Sequence, residues 1–192
     1  VVVYDVNAIT NGENAVNVLG QSNFTNSTAT TTQTGLARPQ AVTYESSNNL
    51  LYVSEFDNNR IVAYDVNSIV DGEAAVDLIG HYMENDGITP DYTKSSVNSS
   101  PGLYGLSSGV VYSNALDTLN HRLFSAENGN GRILVFNLDS SNRLIDKTPD
   151  YVLGQSTFFY TSSARTQASI GNVTGLAIDV SGQRLFVSQG TG

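Results

Sequence analysis

The sequence predicts an all-β protein built from repeated sets of short antiparallel strands. Two observations support this. A sequence unit is written about three times, most clearly as LYVSEFDNNRI (51–61) and LFSAENGNGRI (123–133), and its apolar runs are short and separated by Gly, Asn, Asp and Ser. No segment sustains a helical hydrophobic period over the roughly 10 to 12 residues that would indicate a helix. Repetition therefore decides the fold class before any single residue does.

Each unit is expected to contain four strands, which we call a to d in chain order. In the first complete unit they are residues 41–44, 51–54, 61–66 and 76–80. The same order returns in residues 108–154, where strand a is expected to end at Tyr112. Strand d closes with a glycine in every copy, at Gly20, Gly80 and Gly154. Four short strands separated by turn residues are typical of a β-propeller blade.

The segment AVTYESSNNLLYVSEFDNNRIVAYDV (41–66) resembles the blade of the NHL-repeat β-propeller family, and GQSNF (20–24) and GQSTFF (154–159) are similar to segments of bacterial NHL-repeat proteins. The family has a small residue and an acid after strand b, and then Gly, Asn, any residue, Arg and a β-branched residue. Ser54, Glu55, Asn58, Arg60 and Ile61 fit this pattern with Glu for the usual Asp. The third copy departs from it, because Gln189 replaces the acid.

The resemblance implies a β-propeller of four-stranded antiparallel blades, of which this chain supplies about three blade-equivalents, half of a six-bladed ring. We expect full blades over 41–80 and 108–154, and a split blade made of 1–20 and 173–192. Three explanations stay open: a portion of a longer chain that contains the other blades, a half propeller completed by a second copy, and an open monomer.

Composition and charge reduce the number of possible function classes. Nine basic residues against 18 acidic ones give a net charge of −9, and only 14% of residues are charged. Nucleic-acid binding is disfavoured, because it needs clustered Lys and Arg. No apolar run approaches the roughly 18 residues that would span a bilayer. A surface of Ser, Thr, Asn and Gln suits an extracellular or cell-surface bacterial protein, although the absence of cysteine also suits the cytoplasm.

One face is expected to carry the binding site. The turns between strands b and c emerge on the same face as the long connections 21–40, 81–107 and 155–172, and long loops are often functional. Aromatic rings beside carboxylates and amides suit a sugar or peptide ligand. The candidate binding residues are Glu55, Phe56, Asp57, Asn58, Tyr82, Tyr92, Glu127, Asn128, Asn130, Phe159 and Tyr160. Arg60 and Arg132 are instead expected to hold neighbouring turns or blades together through hydrogen bonds.

The function expected from the sequence is that of a non-enzymatic recognition module for a protein or carbohydrate ligand, without catalytic residues, cofactor or metal. One alternative is a calcium-dependent hydrolase or lyase of the six-bladed type, in which Glu55, Asp57 and Glu127 would approach a central ion. The other is an architectural domain of a large surface or filament protein. NHL propellers mostly serve as binding platforms, which favours the first reading.

Overall fold

The computed structural model describes residues 1–82, 86, 89–95, 111–159 and 165–190 of the chain. These residues form β-strands joined by turns and extended connections, and none of them lies in a helix. The described part of the chain accordingly offers no helix with the length and apolar character needed to cross a membrane. The all-β class predicted from the sequence is confirmed.

The strands form two four-stranded antiparallel sheets and two antiparallel pairs. In chain order they are β1 (Val2–Val3), β2 (Asn17–Val18), β3 (Pro39–Glu45), β4 (Leu50–Glu55), β5 (Arg60–Asp65), β6 (Asp77–Ile79), β7 (Val111–Asp117), β8 (Arg122–Glu127), β9 (Arg132–Asn137), β10 (Tyr151–Leu153), β11 (Val173–Asp179) and β12 (Arg184–Gln189). The first sheet contains β3 to β6 and the second sheet contains β7 to β10. The pairs are β1–β2 and β11–β12.

An acidic residue at the end of the first strand of each unit explains why the chain reverses there. The buried carboxylate of Glu45 accepts hydrogen bonds from the backbone N–H groups of Ser47 (2.8 Å) and Asn48 (2.7 Å). Burial alone would raise the pKa of Glu45, but these bonds outweigh it and the pKa is lowered. Asp117 and Asp179 accept equivalent bonds after β7 and β11. Each hairpin is thus specified by a side chain that holds its own turn.

The second sheet corrects one expected strand. The sequence places the end of strand a at Tyr112, whereas β7 runs over Val111–Asp117. The apolar run around Tyr112 suggested the strand, but the residue that ends it is the acid that captures the next turn, Asp117, as Glu45 does in the first sheet. Residues 108–110 of the expected strand lie outside the described residues.

Three apolar clusters hold neighbouring sheets face to face. They join the β1–β2 pair to the first sheet, the first sheet to the second, and the second sheet to the β11–β12 pair. Representative members are, respectively, Leu19 and Val62, Tyr52 and Phe136, and Phe124 and Val187. The first strands of successive units also contact one another, β3 with β7 and β7 with β11. The two sheets and the two pairs therefore stack in chain order, with the β4–β5 turn and the β8–β9 turn at the same end of the stack.

Candidate functional site

Hydrogen bonds join the turn between β4 and β5 to the long connections on both sides of the first sheet. The Thr31 hydroxyl donates to the side-chain oxygen of Asn58 (2.8 Å), and the Asn58 amide donates to the Thr30 carbonyl (3.2 Å). The Asn59 amide donates to the carbonyl of Ser95 (3.0 Å), which follows β6. This end of the sheets, formed by the turns 56–59 and 128–131 and the connections bonded to them, is called the loop-bearing end below.

Arg60 is the centre of this network. Its side chain is fully buried, and Nε donates to the Glu55 carboxylate. Nη1 donates to the Tyr92 carbonyl (2.9 Å), and Nη2 donates to the carbonyls of Thr32 (3.0 Å) and Gly35 (3.1 Å). One guanidinium thus fixes two long connections to one turn, which confirms the structural role expected for this arginine.

Glu55 lies inside the fold rather than on the binding face. Its carboxylate accepts hydrogen bonds from the Ala37 backbone N–H (2.8 Å) and the Asn58 amide (2.7 Å), in addition to Arg60. Burial raises the pKa of Glu55, and the Arg60 guanidinium opposes that rise. Glu55 and Asn58, which the sequence suggested as ligand contacts, are both buried and already bonded within the protein.

The second sheet repeats this arrangement. Glu127 and Arg132 form a buried ion pair, and Arg132 also donates to the Phe158 carbonyl. The Asn130 amide lies 3.3 Å from the Glu127 carboxylate, the position that Asn58 takes beside Glu55. Asn128 is half-buried and donates to the Val173 carbonyl (2.8 Å) at the start of β11. Three more of the suggested ligand contacts therefore hold the turn and the neighbouring strand in place.

The aromatic candidates separate into buried and exposed ones. Tyr82 is buried, and its hydroxyl accepts a hydrogen bond from the Gly80 N–H (3.0 Å). Tyr92 is half-buried against the cluster around Leu78, and burial raises the pKa of Tyr92 to about 12. Phe159 is exposed. Tyr160 lies outside the described residues.

A surface cluster remains at the loop-bearing end, made of the exposed Arg38 and Asp57 and the half-buried Phe56 and Tyr112. The Arg38 guanidinium carbon lies 4.0 Å from the centre of the Phe56 ring, and Tyr112 meets that ring edge to face with 5.7 Å between ring centres. Arg38 also lies 3.7 Å from the Asp57 carboxylate. We call these four residues the Arg38 cluster.

Position and backbone geometry set the Arg38 cluster apart from an ordinary surface patch. It lies where the beginnings of β3 and β7 and the end of β4 come together, between the first and second sheets. Arg38 has a positive φ of 53°, which is uncommon for a residue other than glycine. Backbone strain of this kind is found often at binding sites, where the surrounding structure maintains it.

The cluster offers three kinds of contact to a ligand within a small area. The aromatic rings provide flat apolar surface, the guanidinium provides N–H donors, and the Asp57 carboxylate provides acceptors. Its charges cancel, in contrast to the acidic chain as a whole. Among the described residues, no group of three or more His, Asp and Glu side chains is gathered in a way that could hold a metal ion.

Sequence reasoning found Phe56 and Asp57 but missed Arg38 and Tyr112. Both missed residues precede or open an apolar strand, where they look like ordinary strand flanks, and only the stacking of two sheets brings them together. Comparisons with protein families and with curated proteins found no match for this chain. The site itself therefore carries the functional argument.

Proposed function

We propose that this chain is a segment of an NHL-type β-propeller that acts as a non-enzymatic recognition module. The propeller assignment is supported by the stacking of similar sheets in chain order and by the contacts between their first strands. Each of the hairpins β3–β4, β7–β8 and β11–β12 also has a register shift near its start, between Pro39 and Ala41 in the first. Recurrent geometry of this kind is what a blade repeat requires.

The observation that carries the binding proposal is the Arg38 cluster. Most polar residues at the loop-bearing end bond to buried groups of the protein itself, whereas Arg38 and Asp57 are exposed and face each other in a surface ion pair, a contact that contributes little to stability. The strands on either side hold the rings of Phe56 and Tyr112 in a fixed relation, so that a ligand would meet a preorganised surface. Phe159, in the connection that follows β10, offers a further exposed ring.

The ligand that fits this surface is a protein segment or a carbohydrate. Rings stack on the apolar face of a sugar or on an aliphatic side chain, and the ion pair orients hydroxyl or amide groups. The net charge of −9 favours neutral or basic ligands over nucleic acid. An extracellular or cell-surface location is part of the proposal, supported by a chain in which only 14% of residues are charged.

Nothing in the geometry of the two buried acids favours the calcium-dependent alternative. Glu55 and Glu127 each hold an arginine inside the fold, so that a calcium ion would have to displace a buried guanidinium from its carboxylate. Asp57 already faces Arg38. These contacts support the proposal of recognition over that of catalysis around an ion.

The test is an NMR titration of the ¹⁵N-labelled chain with a panel of neutral oligosaccharides and of lysine-containing peptides. We expect at least one member to shift the amide signals of Arg38, Phe56, Asp57 and Tyr112. Phe56→Ala should weaken that binding by at least about tenfold, as the loss of a central aromatic contact does. Leu119→Ala, which removes an exposed side chain on the turn between β7 and β8, is the control and should bind as the parent does. Shifts confined to other surfaces, or no binding by any member, would contradict the proposal.

A further inference from the structure

A buried histidine joins the long connection after β6 to the turn that carries half of the Arg38 cluster. The side chain of His81 is buried, and its Nε2 lies 2.8 Å from the Asn58 carbonyl oxygen. Because a carbonyl oxygen only accepts, Nε2 carries the hydrogen of the neutral ring. Asn58 belongs to the turn 56–59, which also contains Phe56 and Asp57. A change at His81 therefore acts directly on the turn that holds two members of the cluster.

The connection that begins at His81, called the His81 connection below, is bonded to this region at two further points. The Asn59 amide donates to the Ser95 carbonyl (3.0 Å), and Arg60 donates to the Tyr92 carbonyl (2.9 Å). Both acceptors are backbone groups, so these contacts depend on where the connection lies. The turn thus keeps its place only while the His81 connection is packed against it.

The surroundings of His81 oppose a positive charge. Among the described residues, the charged side chains that act most strongly on it are Arg60, Lys94 and Asp91. The Asp91 carboxylate already faces Lys94 (3.6 Å), and Arg60 forms a buried ion pair with Glu55. Burial lowers the pKa of His81, and the two cations lower it further. A second proton on the ring would therefore be accepted most readily after His81 had moved into water.

The second sheet makes the same contact without a titratable group. Gln155 follows β10 as His81 follows β6, and its amide donates to the Asn130 carbonyl. A glutamine amide donates this bond at any ordinary pH, whereas the ring of a histidine gains a charge near pH 6.5. Only the first of the two complete sheets therefore has a turn whose support can respond to acid.

We propose that the His81 connection is a pH-sensitive clamp on the Arg38 cluster, which holds the turn 56–59 while His81 is neutral and releases it when His81 is protonated. The open form, in which His81 meets water, binds the proton with an ordinary pKa of about 6.5, and the closed form binds it less readily. Acid therefore favours the open form, and the clamp weakens as the pH falls below about 6.5.

The release would reach the ligand through contacts already present at the cluster. The Phe56 N–H donates to the Arg38 carbonyl (3.1 Å), and the Phe56 ring lies against both Arg38 and Tyr112. A turn that moves takes this ring with it and separates the groups that form the surface. The consequence for binding rests on the recognition proposed above: the ligand is held near neutral pH and released in acid.

Hydrogen exchange of the ligand-free chain, followed by NMR, tests the clamp. Between about pH 7.5 and about pH 5, the protection factor of the Phe56 N–H should fall by roughly fivefold to thirtyfold, the range that a histidine pKa of about 6.5 in the open form allows. The amides of β9 should stay better protected than the Phe56 N–H at each pH, because the opening is local. Equal protection of β9 and the turn would mean that the turn opens only on global unfolding, and would overturn the proposal.

Two variants separate His81 from every other acid-sensitive group. His81→Gln places the side chain of Gln155 at the equivalent position and should change the Phe56 protection factor by less than about twofold over the same pH range. His121→Asn removes the other histidine, at the opposite end of the second sheet, and should keep the full fall. A parent without a fall, or an equal fall in His81→Gln, would contradict the clamp.

The His121→Asn variant also gives a test that does not require His81→Gln to fold. It leaves His81 as the one histidine of the 192-residue chain, so its ring signals can be followed directly against pH. Their midpoint should lie below about pH 6.5 and coincide with the loss of protection at Phe56. A ring that titrates without any loss of protection would overturn the proposal.

Binding gives the last measurement. For a ligand found by the titration described above, the dissociation constant should rise by at least about fivefold between about pH 7.5 and about pH 5 in the parent, and by less than about twofold in His81→Gln. Equal affinity at both pH values while the turn opens would refute the link to the Arg38 cluster. Because the exchange measurement needs no ligand, it decides the clamp even if the recognition proposal fails.

Discussion

At the residue scale, two carboxylates beside the turn between β4 and β5 differ in burial. Glu55 is buried with Arg60 and accepts hydrogen bonds from three donors. Asp57 is exposed, and its carboxylate lies 3.7 Å from the Arg38 guanidinium. Removing one partner of a buried ion pair strongly lowers the free energy of unfolding, because the remaining charge is buried without a counter-charge. Removing one partner of an exposed pair has a small effect, because water screens the remaining charge.

We therefore predict unequal effects for the same chemical change at these two positions. Glu55→Gln should lower the free energy of unfolding by about 3 to 5 kcal/mol, because the Arg60 guanidinium then lies buried without a counter-charge. Asp57→Asn should lower it by less than about 1 kcal/mol. Urea denaturation of the two variants and the parent measures both. Equal losses would show that the buried pair is not the main support of this turn.

His81 occupies a position that another unit fills with glutamine. Its Nε2 lies 2.8 Å from the Asn58 carbonyl, and Gln155 donates the corresponding hydrogen bond to the Asn130 carbonyl in the second sheet. Burial lowers the pKa of His81, and the nearby Arg60 and Lys94 act in the same direction. The hydrogen bond to Asn58 and the carboxylate of Asp91 oppose this lowering but do not cancel it.

A pH dependence follows from the lowered pKa of His81. The unfolded chain, with an ordinary histidine pKa of about 6.5, binds the proton before the folded protein does, so that stability falls as the pH drops below about 6.5. His81→Gln keeps a donor for the Asn58 carbonyl and should fall less steeply than the parent between about pH 6.5 and pH 5. His121→Asn retains His81 and should keep the steeper fall. Parallel curves for the parent and His81→Gln in urea titrations would contradict this assignment.

At the element scale, the glycines that close the last strand of each unit are fixed by their backbone. Gly80 has a φ of +120°, and a Cβ built there would lie 2.9 Å from the Asn59 carbonyl oxygen. Gly12 also has a positive φ, of +77°, but a Cβ there would meet no atom within 4 Å. Gly80 thus adds a steric clash, and a φ farther from the left-handed helical region, to the positive φ that both glycines share.

Alanine at these two glycines should therefore destabilise the protein to different degrees. Gly12→Ala should lower the free energy of unfolding by about 1 to 2 kcal/mol, the strain of a left-handed residue with a side chain. Gly80→Ala should lower it further, because β6 or the turn at Asn59 must also move. Thermal unfolding followed by circular dichroism compares the two. A smaller loss of stability for Gly80→Ala than for Gly12→Ala would mean that the turn at Asn59 moves at little energetic cost.

The sequence predicted the strands well where the turn residues were unambiguous. In the first sheet the expected strand 51–54 lies within Leu50–Glu55, and the expected strand 76–80 contains Asp77–Ile79. The predicted end of β7 was wrong. The prediction followed an apolar run that ends at Tyr112, whereas the strand continues to Asp117. Hydrophobic pattern locates a strand, but the side chain that captures the following turn sets where it stops.

The candidate site was harder to predict, because residue type does not reveal which way a side chain points. Glu55 and Asp57 are two positions apart and look equally suited to a ligand, yet one is buried with Arg60 and the other is exposed beside Arg38. Which carboxylate an arginine pairs with depends on tertiary packing, and the residues next to the arginine in the sequence do not reveal that packing. Tyr112 entered the site only because β7 stacks beside β3.

At the scale of the whole molecule, stability comes from sheets covering each other rather than from any one sheet. The three apolar clusters lie between sheets, and each complete sheet contributes to two of them. A two-stranded pair alone is marginal in water, so that β1–β2 and β11–β12 depend on their neighbours. A side chain buried between two sheets should therefore contribute more to stability than the same side chain on the outer face of a pair.

Phe124 and Phe186 test this dependence with the same residue at equivalent positions of β8 and β12. Phe124 is buried between the second sheet and the β11–β12 pair, so Phe124→Ala should lower the free energy of unfolding by about 3 to 5 kcal/mol at any protein concentration. Phe186→Ala should lower it by about 0.5 kcal/mol or less, because the ring of Phe186 already faces water. Urea denaturation of the two variants and the parent compares them. Similar losses for the two variants would show that burial between sheets does not set what a ring contributes to stability.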